Sequence, residues 1–333
     1  MKKTLVALAV AAVAATSANA AVVYDQDGSK VEVGGSLRLL LNKVTGERAD
    51  LKNDGSRLQF KGSQDLGSGL SAIAGIEFRF RGNDNTYKNG PGQKNSSSDF
   101  GEVNTERLWA GFKQDGVGTL TFGRQLTNGD AIQLANFINY KDGNVNLTDY
   151  ANKSVKFVSD SFGGFSFGLD YIFGNENKDD TSRNYKNGYG AALYYTGDLS
   201  QDVKFNFRAG YTQDRFDTVE TTRRDSWRVA GEFVIDQVTF GYNYGQSRNK
   251  EDGVKQAKET YHMAGAQYRF SEPAALNLQW KRFTQGDDKV NTYIVGVDYK
   301  LHKNVYTFIE YHHDRPNEGE NNNDVGVGLR VFF

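Results

Sequence analysis

The residues best suited to acid–base or metal chemistry in this 333-residue chain are four histidines, His262, His302, His312 and His313. None stands at zinc-ligand spacing or completes a Ser-His-Asp arrangement, and there is no cysteine to supply a thiolate. Glu310 and His312 lie two residues apart, so on a strand they share a face. A carboxylate can orient an imidazole as a general base, but catalysis also needs an activated nucleophile or a second carboxylate, which this pair alone does not supply. Asp142, Asn144 and Asn146 open with calcium-loop spacing, yet the sixth position is Leu147 rather than Gly and the twelfth is Lys153 rather than Glu. They read as solvated loop residues with at most adventitious divalent binding. Gly163 and Gly164 precede no helix and form a turn, not a phosphate cradle. No metal or cofactor is expected.

A different chemistry lies in charges that alternate with apolar residues. Arg38, Arg57, Lys61, Glu77, Arg79, Arg81 and Arg107 sit on one face of their segments, with aliphatic and aromatic residues on the other. Leu70, Ala72, Ala74, Ile76, Phe78 and Phe80 alternate with polar residues, as do Phe165, Phe167, Leu169, Tyr171 and Phe173, and finally Val325, Val327, Leu329, Val331 and Phe333. Period two with one wholly apolar face is the strand signature. Seven short turns alternate with eight longer polar loops, which predicts about sixteen antiparallel strands. A strand of about 11 residues, rising about 3.3 Å per residue and tilted near 45°, covers roughly 25 Å, the apolar height of a membrane barrel.

Composition agrees. There are 37 Gly, 18 Tyr and 22 Phe but only 3 Pro and no Cys, so neither proline-rich linkers nor disulfide staples shape the chain. Mean hydropathy is −0.63. In a barrel, lumen-facing polar residues conceal the lipid face in such an average. A β-sandwich also alternates, but its two sheets must meet in a dry core, which so charged a face would oppose. Met1-Lys2-Lys3, an apolar run from Leu5 to Ala15 and Ala18-Asn19-Ala20 predict an export signal, residues 1–20, cleaved after Ala20. The barrel domain then spans residues 21–333. Net charge is −1, and nothing in it points to nucleic acid.

Several stretches, taken in order, resemble the trimeric general porins of Gram-negative outer membranes. They are Ser56-Arg57-Leu58-Gln59-Phe60-Lys61-Gly62, Asp65-Leu66-Gly67-Ser68-Gly69-Leu70, Arg107-Leu108-Trp109-Ala110-Gly111-Phe112, Gly118-Thr119-Leu120-Thr121-Phe122-Gly123-Arg124, Gly163-Gly164-Phe165-Ser166-Phe167-Gly168 and the aromatic end Leu329-Arg330-Val331-Phe332-Phe333. The resemblance covers essentially all of residues 21–333. It implies an all-β transmembrane antiparallel barrel whose third long loop, residues 127–151, folds into the lumen as a constriction. It also implies passive passage of ions and small hydrophilic solutes, a homotrimer, contact with outer-membrane lipid and lipopolysaccharide, and delivery by the barrel-assembly machinery through recognition of Phe333.

Carried over by residue, Arg57 and Arg107 match basic-wall positions of that family and Lys156 a third; strand parity adds Arg38 and Arg79. The facing loop acids would be Asp130, Asp142 and Asp149. The family's Pro-Glu-Phe-Gly stretch is missing, which leaves open which acid faces the pore. The inward charges of the wall read as basic, so the acids are expected to concentrate in the loops. Arg124 shares outward parity with Leu120 and Phe122 and is assigned to the subunit interface, where a neighbour's second loop, residues 82–103, would bring Asp99 or Glu102. Two other functions stay open. One is an outer-membrane barrel enzyme of protease or phospholipase type, resting on Glu310 and His312. The other is a sugar-selective channel, for which Trp109, Tyr306 and Phe308 have inward parity.

Overall fold

The computed structural model describes residues 20–81, 102–140, 146–176, 185–217, 222–251 and 254–333. Eighteen strand segments appear among them: β1 (Ala21–Gln26), β2 (Ser29–Val44), β3 (Asp50–Asn53), β4 (Arg57–Gly67), β5 (Leu70–Arg81), β6 (Glu102–Gln114), β7 (Gly118–Leu126), β8 (Tyr150–Ser159), β9 (Phe165–Phe173), β10 (Tyr185–Asp198), β11 (Val203–Phe216), β12 (Arg223–Ile235), β13 (Val238–Glu251), β14 (Val254–Ser271), β15 (Ala274–Gln285), β16 (Asp288–His302), β17 (Val305–Pro316) and β18 (Asn322–Phe332). Each pairs antiparallel with its neighbours, and β18 pairs with β2 to close the cylinder. β3 and β4 lie end to end against β2. β1 pairs with the start of β2, while β18 pairs with the remainder. The segments therefore make a closed barrel of sixteen strands. Closure satisfies the backbone groups that a sheet edge would expose to hydrocarbon.

Phe333 finishes the seam. Its carbonyl accepts from the Gly35 amide at 2.7 Å, and its own amide donates to the Gly35 carbonyl at 3.1 Å. Gly35 is required there, because a Cβ would lie 2.7 Å from the Phe333 ring.

Strand parity holds around the wall. Leu37, Leu41, Phe122, Phe167, Leu169, Phe240, Leu278, Val295, Val327 and Leu329 are exposed on the outer face, while Ser36, Gln59, Glu77, Asp170, Arg228, Asn243, Gln279 and Glu310 are buried on the inner one. Two of the eight longer loops, expected at residues 248–259 and 286–289, prove shorter. Strands β13 and β14 run through most of residues 248–259, and β15 and β16 meet in a tight turn at Gly286. Cross-strand pairing continues beyond the apolar band there, across one bulge between Arg248 and Lys250.

Candidate functional site: the loop-lined lumen

The chain leaves β7, the fifth barrel strand, in one short 3-10 turn, Asn128–Ala131. Thr127 caps it by accepting from the Gly129 amide at 3.2 Å. From there the loop lies along the inner wall, and its own main chain makes the attachment. Amides donate from Asn128 to Asp170 at 3.0 Å, from Leu134 to Asn243 at 3.0 Å, from Ala135 to Glu232 at 2.7 Å, from Phe137 to Gln279 at 3.2 Å and from Asn139 to Glu310 at 2.7 Å. Arg208 donates back to the carbonyls of Ala131 and Gln133. Ile132 is fully buried with Leu147 and Ala192, so the semi-apolar segment 131–138 packs on the wall.

Inward glycines make room for this course. A Cβ at Gly265 would stand 1.9 Å from the Ala135 carbonyl oxygen, and one at Gly210 would stand 2.6 Å from Ile132. Further along, the Asn139 side chain donates to Asp298 at 2.9 Å and Glu310 at 2.8 Å and accepts from Tyr306 at 3.0 Å. The Tyr140 hydroxyl donates to Asp324 at 3.2 Å. Burial, with the nearby Asp324 carboxylate, pushes that hydroxyl far above the usual tyrosine range and keeps it a neutral donor.

This arrangement corrects one expectation about charge. Many inward acids sit not in the loops but on the wall behind the loop: Asp170, Glu232, Asp298, Glu310 and Asp324. They escape notice in the sequence because each strand contributes only one or two, at positions where outward aromatics dominate. Their role is local. A carboxylate facing a backbone amide gives a charge-assisted bond and relieves both groups of an unsatisfied burial.

The opposite wall holds the predicted cations. Register sets Arg38 beside Arg330, Arg57 beside Arg79, and Arg107 beside Glu77. Glu77, almost wholly buried, is the shared anion. Its carboxylate lies 2.7 Å from Arg79 Nε, 3.5 Å from Arg107 and 3.7 Å from Arg57, and also accepts from Gln59. Arg79 reaches Glu106 at 2.9 Å as well. Arg38 donates to Ser36 at 2.9 Å. Lys156 lies further round, donating to the Leu126 carbonyl at 3.1 Å. Of the loop acids, Asp130 shares a cavity of about 450 Å³ with Arg107, Lys61 and Lys156. Asp149 is exposed at the loop's return, and Asp142 lies outside the described residues.

Two residues of this wall were not anticipated. Arg330 bonds Asp54 at 3.0 Å and the loop at Asn139, and it covers the rings of Phe308 and Tyr306. Its inward parity was readable from the outward Leu329 and Val331. Glu106 turns inward because a bulge separates Glu77–Arg107 pairing from Phe78–Thr105 pairing. The signal was the odd spacing of Val103 and Leu108, both exposed and apolar, which strict alternation would place on opposite faces.

Trp109, of inward parity, lines the cavity that holds Asp130 and Lys156. Tyr306 and Phe308 point inward but pack beneath the loop with Tyr140 and Leu40. His312 lies 3.1 Å from Glu310 and against the Tyr140 ring, so the pair is enclosed between wall and loop. Arg124 stays on the outer face, its guanidinium donating to the Tyr150 hydroxyl and lying over that ring. The neighbouring loop, residues 82–101, with Asp99, is outside the described residues, and so is the side chain of Glu102.

A family model described as Gram-negative porin matches residues 7–319. The chain belongs to the Gram-negative porin family. A major outer membrane protein of Pasteurella multocida is 40% identical over the full length of both chains. Solved porins share the fold at low identity. The anion-selective porin of Comamonas acidovorans superposes with a TM-score of 0.74 at 19% identity, covering 92% of this chain and 100% of that one. Salmonella typhi OmpF in complex with daunomycin gives 0.71 at 18%, covering 93% and 99%. This porin is thus an outer-membrane channel, a water-filled barrel for passive diffusion of ions and small hydrophilic solutes.

Proposed function

We propose that the porin is a homotrimeric general-diffusion channel, not an enzyme, in which a one-sided basic wall sorts solutes by size and charge. The supporting observation is an asymmetry. Acids of the β9–β18 wall are engaged by the loop main chain, while Arg38, Arg57, Arg79 and Arg107 line the side away from it and Lys156 stands where the loop begins. The loop, residues 127–151, then acts as the constriction, with Asp130 as the loop acid that shares a cavity with the cations. Charge across so narrow a passage orders water and penalises apolar solutes, whereas polar ones align with it. The uncovered lumen carries more cations than anions, which favours anions. In planar bilayers under a KCl gradient, the protein should give large ohmic steps with a reversal potential on the anion side. Replacing Arg57 and Arg107 together with Ser should move that potential towards cations and raise conductance. An unchanged potential in folded trimers would remove both residues from the constriction. Silence would revive the enzyme reading.

Support for a trimer comes from the outer face. Each strand from β9 to β17 carries an outward Tyr or Trp, as with Tyr171, Tyr189, Tyr211, Trp227, Tyr242, Tyr268, Trp280, Tyr293 and Tyr311. Strands β18 and β2–β7 carry none, and among the described residues the one exposed tyrosine on that side is Tyr24 on the short β1. Such residues mark lipid–water interfaces, so the bare sector suits a protein neighbour, with Arg124 at the interface. The signal, residues 1–20, would be removed after Ala20, and Phe333 would mark the chain for the barrel-assembly machinery. N-terminal sequencing of the outer-membrane form tests the first. Loss of heat-modifiable barrel on deleting Phe333, with export intact, tests the second.

A further inference from the structure

Glu310 and His312 form a buried pair that permeation leaves unused, and they sit where the loop is tied to the wall. One carboxylate oxygen of Glu310 accepts from the Asn139 amide at 2.7 Å and from the Asn139 side chain at 2.8 Å. The other lies 3.1 Å from His312 Nε2. Among the described residues His312 is the one basic side chain in ion-pair range of Glu310. The next loop residue covers the imidazole, with the Tyr140 ring centroid 4.5 Å from its own.

The surroundings of the ring are acidic. On its own strand, Asp314 follows two residues on and is held by the Thr292 hydroxyl at 2.6 Å. On β18, Asp324 lies directly opposite His312 and accepts from Tyr140. On the other side, β16 faces the ring with buried Ile294, and its acid further along, Asp298, is held by Asn277 and Asn139. The nearest cations stand at the margins. Lys281 of β15 lies opposite Thr292, and Arg330 of β18 reaches the loop at Asn139.

A buried carboxylate must be paired or neutralised, and breaking such a pair is costly. Histidine is the side chain whose ordinary charge change falls between about pH 5 and 8, so the partner of Glu310 is one that pH can switch off. We propose that His312 is a pH-operated latch on the loop. As imidazolium it compensates Glu310 and attracts the face of the Tyr140 ring, which holds the loop on the wall. As neutral imidazole it leaves Glu310 a buried charge supported only by neutral donors, and the relief is water, admitted when the segment around Asn139 lifts. The loop is therefore held on the acid side and loosened as pH rises. Control of permeation by this latch rests on the loop's role as the constriction.

The test follows hydrogen–deuterium exchange of the loop peptide containing Asn139 and Tyr140 in the full-length protein in detergent, with intrinsic rates divided out. Protection should be at least about tenfold greater at about pH 5.5 than at about pH 8, as expected when a buried charge loses its partner. His312→Gln keeps a donor for Glu310 but carries no charge, and its protection should be the same at both. Glu310→Gln removes the charge that needs compensating and should abolish the pH dependence too, so it serves if the first variant fails to fold. Protection that does not change with pH in the unaltered protein would overturn the latch, and so would a pH dependence that survives in either folded variant. Single-channel records on the unaltered protein should show more brief current excursions at the higher pH. A pH-dependent protection with unchanged current would leave the latch standing and count against the loop as the constriction.

Discussion

At Glu77 a single carboxylate meets Arg57, Arg79 and Arg107 in a nearly dry setting. Three guanidiniums within reach of one another are tolerable only with an anion among them, since breaking a buried pair leaves an uncompensated charge. Such losses cost about 3–5 kcal/mol. Glu77→Gln keeps shape and one acceptor but removes the charge. The variant should unfold at lower urea in detergent by an amount in that range, and its reversal potential should move further to the anion side. A stability equal to wild type would mean that water and Glu106 already screen the cluster. Either outcome separates holding the wall from setting the field, because stability and selectivity are read independently.

The element that gives the lumen its shape is the loop between β7 and β8, and its path depends on surfaces that carry little sequence signal. Alternation and turn residues made the strands, their number and the lumen-facing arginines legible, because period two is imposed by backbone geometry along every strand. The loop's docking was not legible in the same way. Its partners, Asp170, Glu232, Asn243, Gln279 and Glu310, come from five strands and bond mostly to backbone, which has no side-chain identity to read. Glycines at 210 and 265 are equally silent until something lies over them. Gly265→Val should therefore force Ala135 off the wall, since even a Cβ would sit 1.9 Å from its carbonyl oxygen. Noisier or altered single-channel conductance in a folded barrel would bear this out. Asn139→Ala is the milder companion. It removes bonds to Asp298, Glu310 and Tyr306 while leaving the backbone bond, for a loss of about 1–3 kcal/mol in loop anchoring. Faster cleavage by a protease added from the side of the loops would report it, and wild-type resistance would show that the backbone bonds suffice.

Across the whole molecule, the outer face divides into two sectors that obey different rules. The β9–β17 sector has its ring of Tyr and Trp; β18 and β2–β7 present aliphatics, Phe and small residues such as Gly62 and Ala74, with Tyr24 of β1 at their margin. One row on the second sector runs Val33, Phe60, Ile76, Leu108 and then Arg124 through successive register partners. An arginine at the end of an apolar row is poorly placed against hydrocarbon, where it costs about 2–4 kcal/mol at mid-depth and less near the interface. It is well placed against protein, where Tyr150 already holds it. The two faces should respond differently to the same insult. Ile76→Lys places a charge within the bare row, and Val229→Lys places one in the lipid-facing sector, where Val229 is 36% exposed. A lysine facing lipid can extend its stem towards the interface and keep its charge wet, whereas one inside a packed interface has no such escape. Ile76→Lys should shift native mass spectra from trimer to monomer while leaving heat-modifiable barrel, and Val229→Lys should lower barrel stability modestly without changing the trimer mass. The reverse pattern would move the interface to the other sector and leave the aromatic gap without an explanation.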